Sequence, residues 1–533
     1  MRIPERVGCS RFPAGSVPLS SLARAGGVTH RATATGGATK LAITIWIFAV
    51  TVRLILINQP YIDHWSWRQC DVAAIARNFF ENGFRFAYPQ IDWAGNATGY
   101  VGTEFPILPF LAAICYKFAG IHEWIGRSQA VIFLAVSLPF FFLLVRETFG
   151  STAAAWATFF YSFAPLNIFA GRSFMPDVPS LSLAIIGLYF FLRWRRDYNW
   201  TLFSLAAIAI CLSLLTKITS IIIVAPLLYL AVAEGADLGT SGGHHAWGRR
   251  GQRPRLQLAL FAAIGILPSA VWYWHAHQIA DEFYPHHFFG AGGIRIESFS
   301  WYWHIVRQTA TSSLTPVLTV MALIGLSVAP RSRYSRLFHW WLVAIVLFIV
   351  VVGYGNRHPW YQLPLVPITA AFAGAACTFF GSKIASRVAV TTLSILLASS
   401  FAFLSWSYVR PLYESSARQL RDAGLELNKI TTPDALIVAA DMGDPTIFYY
   451  ARRKGWHFPE RDAIYAGTPS DSQQAIADLE GLRRRGATHL VLTANTFWWL
   501  ESYPQFAQHL AERAMLIEAT PEFRIYKFGP IAR

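Results

Sequence analysis

Charged side chains that could do chemistry are concentrated in three short segments of a chain that has little charge elsewhere. In the first segment, YIDHWSWR at 61–68, Asp63 stands beside His64 and Arg68, and Glu104 follows later in the same loop. A carboxylate that neighbouring groups keep ionised can accept a proton, and cationic residues beside it can bind an anionic group. The alternative is an aromatic belt with interfacial charges and no chemical role.

The second segment, AGRSFMPDVPSLS, contains Asp177 between Pro176 and Pro179, five residues after Arg172. An ionisable residue where an apolar span begins is a functional-site candidate, because charge is expensive to place there. The alternative is an acid at a helix N-terminus, which the helix dipole favours. Lys217, between two apolar runs, raises the same question.

The third segment, GNRHPWYQLPLVP, contains Arg357 and His358, followed closely by Tyr361. An arginine offers a planar fork of donors and a histidine offers a further one, which suits a lipid phosphate. A snorkelling interfacial arginine among belt aromatics is the alternative.

Metal ligation has weaker support in the sequence. The spacing of His275, His277, His286 and His287 matches no zinc signature. The five cysteines are scattered, which indicates neither a disulfide framework nor a cysteine-based zinc site. We therefore assign no metal ligand and no certain cofactor, and leave open a divalent metal near Glu104.

The composition shows which elements must position these residues. Only 14% of the 533 residues are charged, against about 25% in soluble domains. The last 126 residues have 15 basic and 15 acidic side chains, whereas the first 407 have 30 basic and 15 acidic ones. So low a charge density predicts that the first part spans a bilayer. The basic residues form short clusters between apolar runs, which indicates membrane topology and argues against a nucleic-acid partner.

Uncharged stretches predict about eleven transmembrane helices, at 41–58, 128–145, 152–170, 178–192, 200–216, 218–233, 256–274, 313–329, 337–353, 362–380 and 388–407. The segment 105–119 is short and contains two prolines, so we expect an interfacial or re-entrant helix. A second interfacial helix, amphipathic, is predicted at 71–83. With the N-terminus inside, every second loop is basic, which places the three candidate segments on the extracytoplasmic face of the cell membrane.

Three regions follow. Residues 1–40 are predicted to be a disordered cytoplasmic tail, and 41–407 a transmembrane domain whose residues 59–127 form the first outer loop. Residues 408–533 are predicted to be a small extracytoplasmic α/β domain, with buried parallel strands at 434–441 and 488–494, a helix at 470–485 and an edge strand at 523–528. No glycine-rich phosphate loop follows either buried strand, so a structural or acceptor-docking role is expected.

Together the layout resembles the GT-C class of glycosyltransferases, and most of all the bacterial relatives of protein O-mannosyltransferases and of lipid A aminoarabinose transferases. Three features carry the resemblance: the early Asp63 in a long first outer loop, the Arg-x-x-x-x-Asp element ending at Asp177, and the Tyr-x-Leu-Pro stretch after Arg357. It extends over about residues 40–410. One departure concerns the Glu-Lys-Pro triplet of the aminoarabinose-type relatives, whose Lys contacts the lipid phosphate. Here the triplet is Glu104-Phe105-Pro106.

The resemblance implies an inverting transfer of a sugar from a polyprenyl-phosphate carrier to a hydroxyl group at the outer membrane face. Asp63 would be the base, and Asp177 would orient the acceptor or hold Arg172. The remaining substrate-binding candidates are His64, Arg68, Glu104, Arg357, His358 and Tyr361, and the phosphate charge would be met by Arg68 or by the Arg357/His358 pair. The acceptor is open between lipid, protein and polysaccharide.

Two other functions remain open at this point. A lipid-linked oligosaccharide polymerase or ligase would use similar outer-face carboxylates and arginines, and differs in having a pyrophosphate-linked oligosaccharide as donor. A secondary transporter is the alternative from another class. Transporters place charges near the midplane in internally repeated halves, whereas here the acids stand at span ends and no repeat is evident.

Overall fold

The computed structural model describes residues 20–233, 252–289, 293–331, 334–461 and 464–529. The first helix, Ser20–Leu54, begins before the predicted span at 41–58 and includes part of the segment expected to be a disordered tail. A helix that an apolar segment has nucleated gains one hydrogen bond for each residue added, which permits such an extension. Residues 1–19 of the predicted tail lie outside the described residues.

Helices form the first three quarters of the chain. They are α1 (Ser20–Leu54), α2 (Ser66–Glu81), α3 (Ile107–Ala119), α4 (Glu123–Phe149), α5 (Ser151–Phe163), α6 (Pro165–Ala170), α7 (Asp177–Asp197), α8 (Trp200–Thr216), α9 (Val224–Ala233), α10 (Gln252–Glu282), α11 (Phe299–Gln308), α12 (Pro316–Val328), α13 (Leu337–Val352), α14 (Leu365–Lys383) and α15 (Arg387–Val409). A 3-10 helix, Ile218–Ile223, joins α8 to α9.

The protein crosses the membrane several times. Within the described residues, six helices are long and apolar enough to span a bilayer, and the bent pair Phe299–Ser313 and Pro316–Val328 would make a seventh. Each of the eleven predicted spans coincides with a helix or helix pair, but several, such as α8 and α13, are shorter than a full crossing of about 20 residues. Length and composition therefore support six or seven crossings.

Small residues allow the membrane helices to approach closely. A Cβ atom added to Gly374 of α14 would lie 2.2 Å from the carbonyl oxygen of Ala153 in α5. A Cβ atom on Gly325 of α12 would lie 1.8 Å from the carbonyl oxygen of Phe372, also in α14. Apolar side chains gain little by leaving lipid for one another, so this close backbone contact is a main source of helix association.

The first outer loop contains two helices, and one of them differs from its prediction. Helix α3 is 13 residues long, about 20 Å at 1.5 Å per residue, and is too short to cross the bilayer. Helix α2 begins at Ser66 rather than near residue 71, and nearly all its residues as far as Phe79 are buried. The expected amphipathic surface helix is therefore an enclosed one, because the C-terminal domain covers the face that the sequence pattern left to solvent.

The C-terminal domain is built on a five-stranded sheet. The strands are β1 (Ile437–Ala440), β2 (Gly455–His457), β5 (His489–Thr493), β6 (Ala514–Ala519) and β7 (Phe523–Phe528), in the order β2-β1-β5-β7-β6. Strand β1 pairs in parallel with β2 and β5, as predicted for the two buried strands. Strands β3 (Glu460–Arg461) and β4 (Ile464–Tyr465) form a separate antiparallel pair.

The helices of this domain are α16 (Arg418–Ile430), α17 (Thr446–Ala451), α18 (Ser472–Arg484), α19 (Trp499–Ser502) and α20 (Pro504–Arg513). Helix α18 matches the helix predicted at 470–485. Strand β7, predicted to be an edge strand, lies instead between β5 and β6. The prediction was wrong because the half-exposed run 514–519 was not recognised as a strand, although it pairs with β7 as the true edge.

The first outer loop also continues the sheet of the C-terminal domain. The amide of Gly95 donates to the carbonyl oxygen of Gly455 at 2.7 Å. The amide of Gly455 donates to the carbonyl oxygen of Asp92 at 3.0 Å. Gly455 begins β2, which would otherwise be an open edge with unpaired backbone groups. The C-terminal domain is thereby joined by backbone hydrogen bonds to the loop that contains the candidate residues.

Candidate functional site

Asp177 and Lys217 form a buried ion pair where two membrane helices meet. Asp177 is the first residue of α7, after Pro176, and Lys217 directly follows the end of α8. Each charge has the sign that its helix end favours. Nζ of Lys217 lies 2.6 Å from Oδ1 of Asp177, and both side chains are about nineteen-twentieths buried. Oδ2 of Asp177 has no hydrogen-bond partner among the described residues.

A second buried ion pair, Arg68 with Glu104, lies beside the first. Nη2 of Arg68 is 2.9 Å from Oε1 and 3.0 Å from Oε2 of Glu104. Burial would raise the pKa of Glu104, but Arg68 and, more weakly, Lys217 lower it below its ordinary value. The two pairs therefore interact electrostatically. We call Arg68, Glu104, Asp177 and Lys217 the charged cluster.

Asp177 and Lys217 of the charged cluster line a narrow cavity between membrane helices. Its polar end includes Asp177, Lys217 and Tyr361, and the ammonium group of Lys217 is 4.8 Å from the centre of the Tyr361 ring. Its walls are apolar and come from α7, the 3-10 helix after Lys217 and α13. They include Leu181, Ala184, Ile222, Ile223, Ile345 and Phe348. A charged end joined to apolar walls suits an amphiphilic ligand.

Asp63 is fully buried and its carboxylate is fully engaged. Oδ2 lies 2.9 Å from Nη2 of Arg127, near the outer end of α4, and Oδ1 accepts from Nε2 of Gln69 at 2.7 Å. The backbone amide of Trp65 also donates to Oδ1, at 3.3 Å.

Arg172 does not contact Asp177, contrary to the expectation that Asp177 could hold it. Arg172 instead donates to the carbonyl oxygen of Leu56 at 2.8 Å, and its guanidinium lies 4.6 Å from the centre of the Tyr413 ring. The chain turns sharply between the two residues, so Arg172 faces the end of α1 while Asp177 faces Lys217.

The third segment is only partly in the site. Tyr361 contacts Lys217, and His358 stacks on Trp360 with ring centres 4.4 Å apart. Burial, and then the nearby Arg357, lower the pKa of His358 to about 4, so its ring is neutral at pH 7. Arg357 is exposed and lies over the Tyr354 ring.

His64 is also exposed, and its backbone amide donates to the carbonyl oxygen of Leu412. The predicted Arg357/His358 pair therefore does not supply two cations to the charged cluster, and His64 makes no contact with it.

Three residues gained importance only with the tertiary structure. Lys217 was noticed as an isolated charge but was not assigned to the site, and Arg127 and Gln69 were not singled out. The available signal for Lys217 was a single cation between two uncharged runs, which required a carboxylate partner. Arg127 gave no comparable signal, because a basic residue next to a span is common.

The residues around Glu104 do not fit the divalent metal left open above. Throughout the ranges that the structure describes, no three His, Cys, Asp or Glu side chains converge to hold an ion. Arg68 contacts both oxygens of Glu104, so a cationic side chain stands where a metal would have to bind.

Residues 103–272 match the family described as dolichyl-phosphate-mannose-protein mannosyltransferase. No curated protein matches the chain. Among solved structures, ArnT from Cupriavidus metallidurans bound to undecaprenyl phosphate is similar with a TM-score of 0.65 at 16% identity, covering 92% of this chain and 99% of that one. AglB from Archaeoglobus fulgidus, in complex with an inhibitory peptide and a dolichol-phosphate, has a TM-score of 0.55 at 14% identity, covering 92% and 74%.

A third similar structure is the arabinofuranosyltransferase AftD from Mycobacteria, with a TM-score of 0.52 at 13% identity, covering 92% of this chain and 42% of that one. ArnT, AglB and AftD are GT-C glycosyltransferases. This protein accordingly has the GT-C membrane fold followed by a small C-terminal sheet domain, and the prediction of both is confirmed.

Proposed function

We propose that the protein is a membrane glycosyltransferase that moves a sugar from a polyprenyl-phosphate carrier to a hydroxyl group of an acceptor. The observation that carries this proposal is the Asp177–Lys217 pair at the polar end of a largely apolar cavity, with one oxygen of Asp177 unpaired and the Arg68–Glu104 pair beside it. A polyprenyl phosphate has the matching form, a long apolar chain that ends in an anion. The match to a mannosyltransferase family over 103–272 and the lipid phosphates bound in the ArnT and AglB structures support the same class of donor.

Arg68 and Lys217 are the cations we assign to the donor phosphate. Both are buried, so their charges act with little screening, and an arginine fork and a lysine ammonium are both effective phosphate ligands. As the bond between C1 of the sugar and the phosphate oxygen breaks, these cations stabilise the negative charge that develops on the leaving phosphate. They replace the lysine that is missing at Phe105.

Asp177 is the carboxylate we assign as base. Asp177 lines the cavity and its Oδ2 has no hydrogen-bond partner, whereas both oxygens of Asp63 are occupied. The acceptor hydroxyl would give its proton to Asp177 while its oxygen attacks C1, and polyprenyl phosphate would leave from the opposite side with inversion. Asp63, which the resemblance implied as base, then acts as a positioning residue that holds Gln69 and Arg127 beside the charged cluster.

The reaction would take place at the extracytoplasmic face of the cell membrane. This orientation rests on the basic residues of alternate loops, and it puts the first outer loop and the C-terminal domain on the same outer side. The backbone hydrogen bonds between this loop and this domain require both to lie on the same side of the membrane.

The test uses purified protein in liposomes with a panel of polyprenyl-phosphate sugars and an envelope extract as acceptor. Release of free polyprenyl phosphate is measured for wild type, Asp177→Asn, Asp63→Asn and Arg357→Ala. We expect wild type to release polyprenyl phosphate from one donor. Asp177→Asn should lower the rate of release by about 1,000-fold or more, since a base and its charge are both removed. Arg357→Ala should have near-normal turnover.

Other outcomes reassign the site or the function. Loss in Asp63→Asn with activity retained in Asp177→Asn would make Asp63 the base and require the Arg127 pair to open during the reaction. If folded wild type releases nothing from any monophosphate donor but transfers from a pyrophosphate-linked oligosaccharide, the protein is a polymerase or ligase. No transfer from either donor would contradict the proposed function.

A further inference from the structure

A second group of buried ionisable residues lies where α2 and the first outer loop contact the C-terminal domain. His457 at the end of β2 has its Nδ1 atom 2.8 and 2.9 Å from the two oxygens of Asp441. The His457 ring lies 5.2 Å from the ring of Trp93 in the first outer loop, and Nε1 of Trp93 donates to Oδ1 of Asp71 at 3.0 Å. All four side chains are at least nine-tenths buried.

This group leads directly to the charged cluster. Asp71 is three residues after Arg68 on α2, so the two side chains share one face of the helix. The carboxylate of Asp71 acts electrostatically on Arg68, second only to Glu104. Contacts between buried side chains therefore run from Asp441 through His457 and Trp93 to Asp71, which lies one turn from Arg68 on α2.

The C-terminal domain also holds the beginning of α2. The helix has no N-terminal cap of its own, and Oγ of Ser66 in its first turn donates to Oδ2 of Asp444 at 2.6 Å. A carboxylate at this position interacts favourably with the helix dipole. One turn along, Oγ1 of Thr446 donates to Sγ of Cys70 at 3.3 Å. The same helix contributes Arg68 to the charged cluster.

The charges along this path depend on one another. Burial would lower the pKa of His457, but Asp441, and after it Asp71 and Asp444, raise it above the ordinary value. Burial raises the pKa of Asp71 to about 7, against the opposing effects of Arg68, Trp93 and His457. Asp71 therefore changes its charge near neutral pH, and the imidazolium form of His457 favours the ionised form of Asp71.

We propose that His457, held by Asp441, is a positioning residue of the reaction site that acts through Trp93 and Asp71 on Arg68, so that the C-terminal domain is required for binding of the donor phosphate. This inference rests on the proposed function, in which Arg68 binds that phosphate. It assigns the C-terminal domain a part in the site rather than a separate structural role.

The test compares His457→Gln with His489→Gln in the full-length protein in liposomes. Glutamine keeps a donor for Asp441 but removes the positive charge. His489 is a matched control, because it is a buried histidine of the same sheet whose Nδ1 contacts Thr488, far from the first outer loop. We expect His457→Gln to raise the donor KM about 10-fold and to leave kcat within about twofold of wild type. This corresponds to about 1.4 kcal/mol of binding free energy, lost equally in the ground state and the transition state. His489→Gln should change neither KM nor kcat.

A pH profile separates positioning from a merely structural role. In wild type the donor KM should fall as the pH rises through about 7, where Asp71 becomes ionised. His457→Gln should move this change to higher pH, because loss of the imidazolium raises the pKa of Asp71. Asp71→Asn, which keeps an oxygen for Trp93, should abolish it. The groups that face His457 are Asp441, Asp71, Asp444, His287 and the Trp93 ring, so each of the other acids needs its own amide variant.

A direct binding measurement keeps the inference separate from the proposed function. Thermal stabilisation of the full-length protein by free polyprenyl phosphate, and hydrogen exchange of residues 66–81, need no turnover. Weaker stabilisation and faster exchange in His457→Gln would support the inference even if no donor is turned over. If His457→Gln has the same donor KM, pH profile and exchange as wild type, the inference is overturned, whatever the yield of folded protein. The proposed function would remain intact.

Discussion

At the residue scale, each of the two predicted acids is neutralised by a cation that comes from a distant part of the chain. Asp63 is paired with Arg127, and Asp177 with Lys217. The pairs differ in one respect, because Asp63 has both oxygens engaged and Asp177 has one free. The difference favours Asp177 over Asp63 as the candidate for proton transfer.

Removal of Arg127 alone should destabilise the protein strongly. Arg127→Met leaves Asp63 as an uncompensated buried charge, which costs about 3–5 kcal/mol. Arg127→Met combined with Asp63→Leu removes both charges and should recover most of the thermal stability, measured as Tm in detergent or liposomes. If Asp63 only positions its neighbours, the double variant should also keep measurable transfer. A stable double variant with no transfer would show that Asp63 takes part in the chemistry.

Substitution of Lys217 should affect donor use. Lys217→Gln removes a phosphate ligand and should raise the donor KM by about 10- to 100-fold, since a charged hydrogen bond contributes about 1.5–3 kcal/mol. Lys217→Arg should retain part of the affinity. Lys383→Gln is the matched control, because Lys383 is an exposed lysine at the far end of α14. An unchanged KM in Lys217→Gln would remove Lys217 from the phosphate site.

At the element scale, two types of helix contact position the site. Membrane helices approach through small residues such as Gly374, whereas α2 is held between the transmembrane domain and the C-terminal domain. Helix α2 is the element on which the site depends most, since it contributes Arg68 and its first turn contacts both Asp63 and Asp444.

The close contact of α14 with α5 predicts an asymmetric response to two similar substitutions. Gly374→Leu forces a side chain against the Ala153 carbonyl and should cost at least about 1–3 kcal/mol, because backbone atoms cannot yield as a flexible side chain would. Gly381→Leu, on the same helix with nothing within 4 Å, should be tolerated. Thermal unfolding and the fraction of monodisperse protein measure both variants. Equal effects would mean that the helices do not pack as described.

At the scale of the whole molecule, the first outer loop and the C-terminal domain form one unit over the membrane. Backbone hydrogen bonds join Gly95 and Asp92 to Gly455, and the hydroxyl of Tyr450 accepts from the amide of Tyr61 and donates to Glu123.

The topology of the whole molecule gives a direct prediction. In a variant without native cysteines, Ser470→Cys in the C-terminal domain should react with an impermeant maleimide in intact cells, or in spheroplasts where an outer membrane blocks access. Ser382→Cys, in the last turn of α14, should react only after permeabilisation. Both serines are exposed, so accessibility to solvent does not differ between them. The opposite labelling pattern would place the charged cluster on the cytoplasmic side.

Much of the fold could be predicted from local sequence. Apolar length decides whether a segment enters a membrane, so helical segments occur at every predicted span. Alternation and buried apolar runs predicted β1, β5 and β7, but the position of β7 within the sheet depended on an unrecognised neighbour. Similarly, the burial of α2 depended on a domain more than 300 residues away in sequence.

The sequence by itself determined the membrane class, the segments that contain the chemistry and the resemblance to GT-C enzymes, because hydropathy and short motifs are local properties. Only the tertiary structure decided the partner of each charge. Pairing of Asp177 with Lys217 rather than with Arg172, and of Arg68 with Glu104, is a matter of contacts at 2.6–3.0 Å between distant segments. In a buried site of low dielectric such contacts determine which carboxylate oxygen remains free, and spacing along the chain does not specify them.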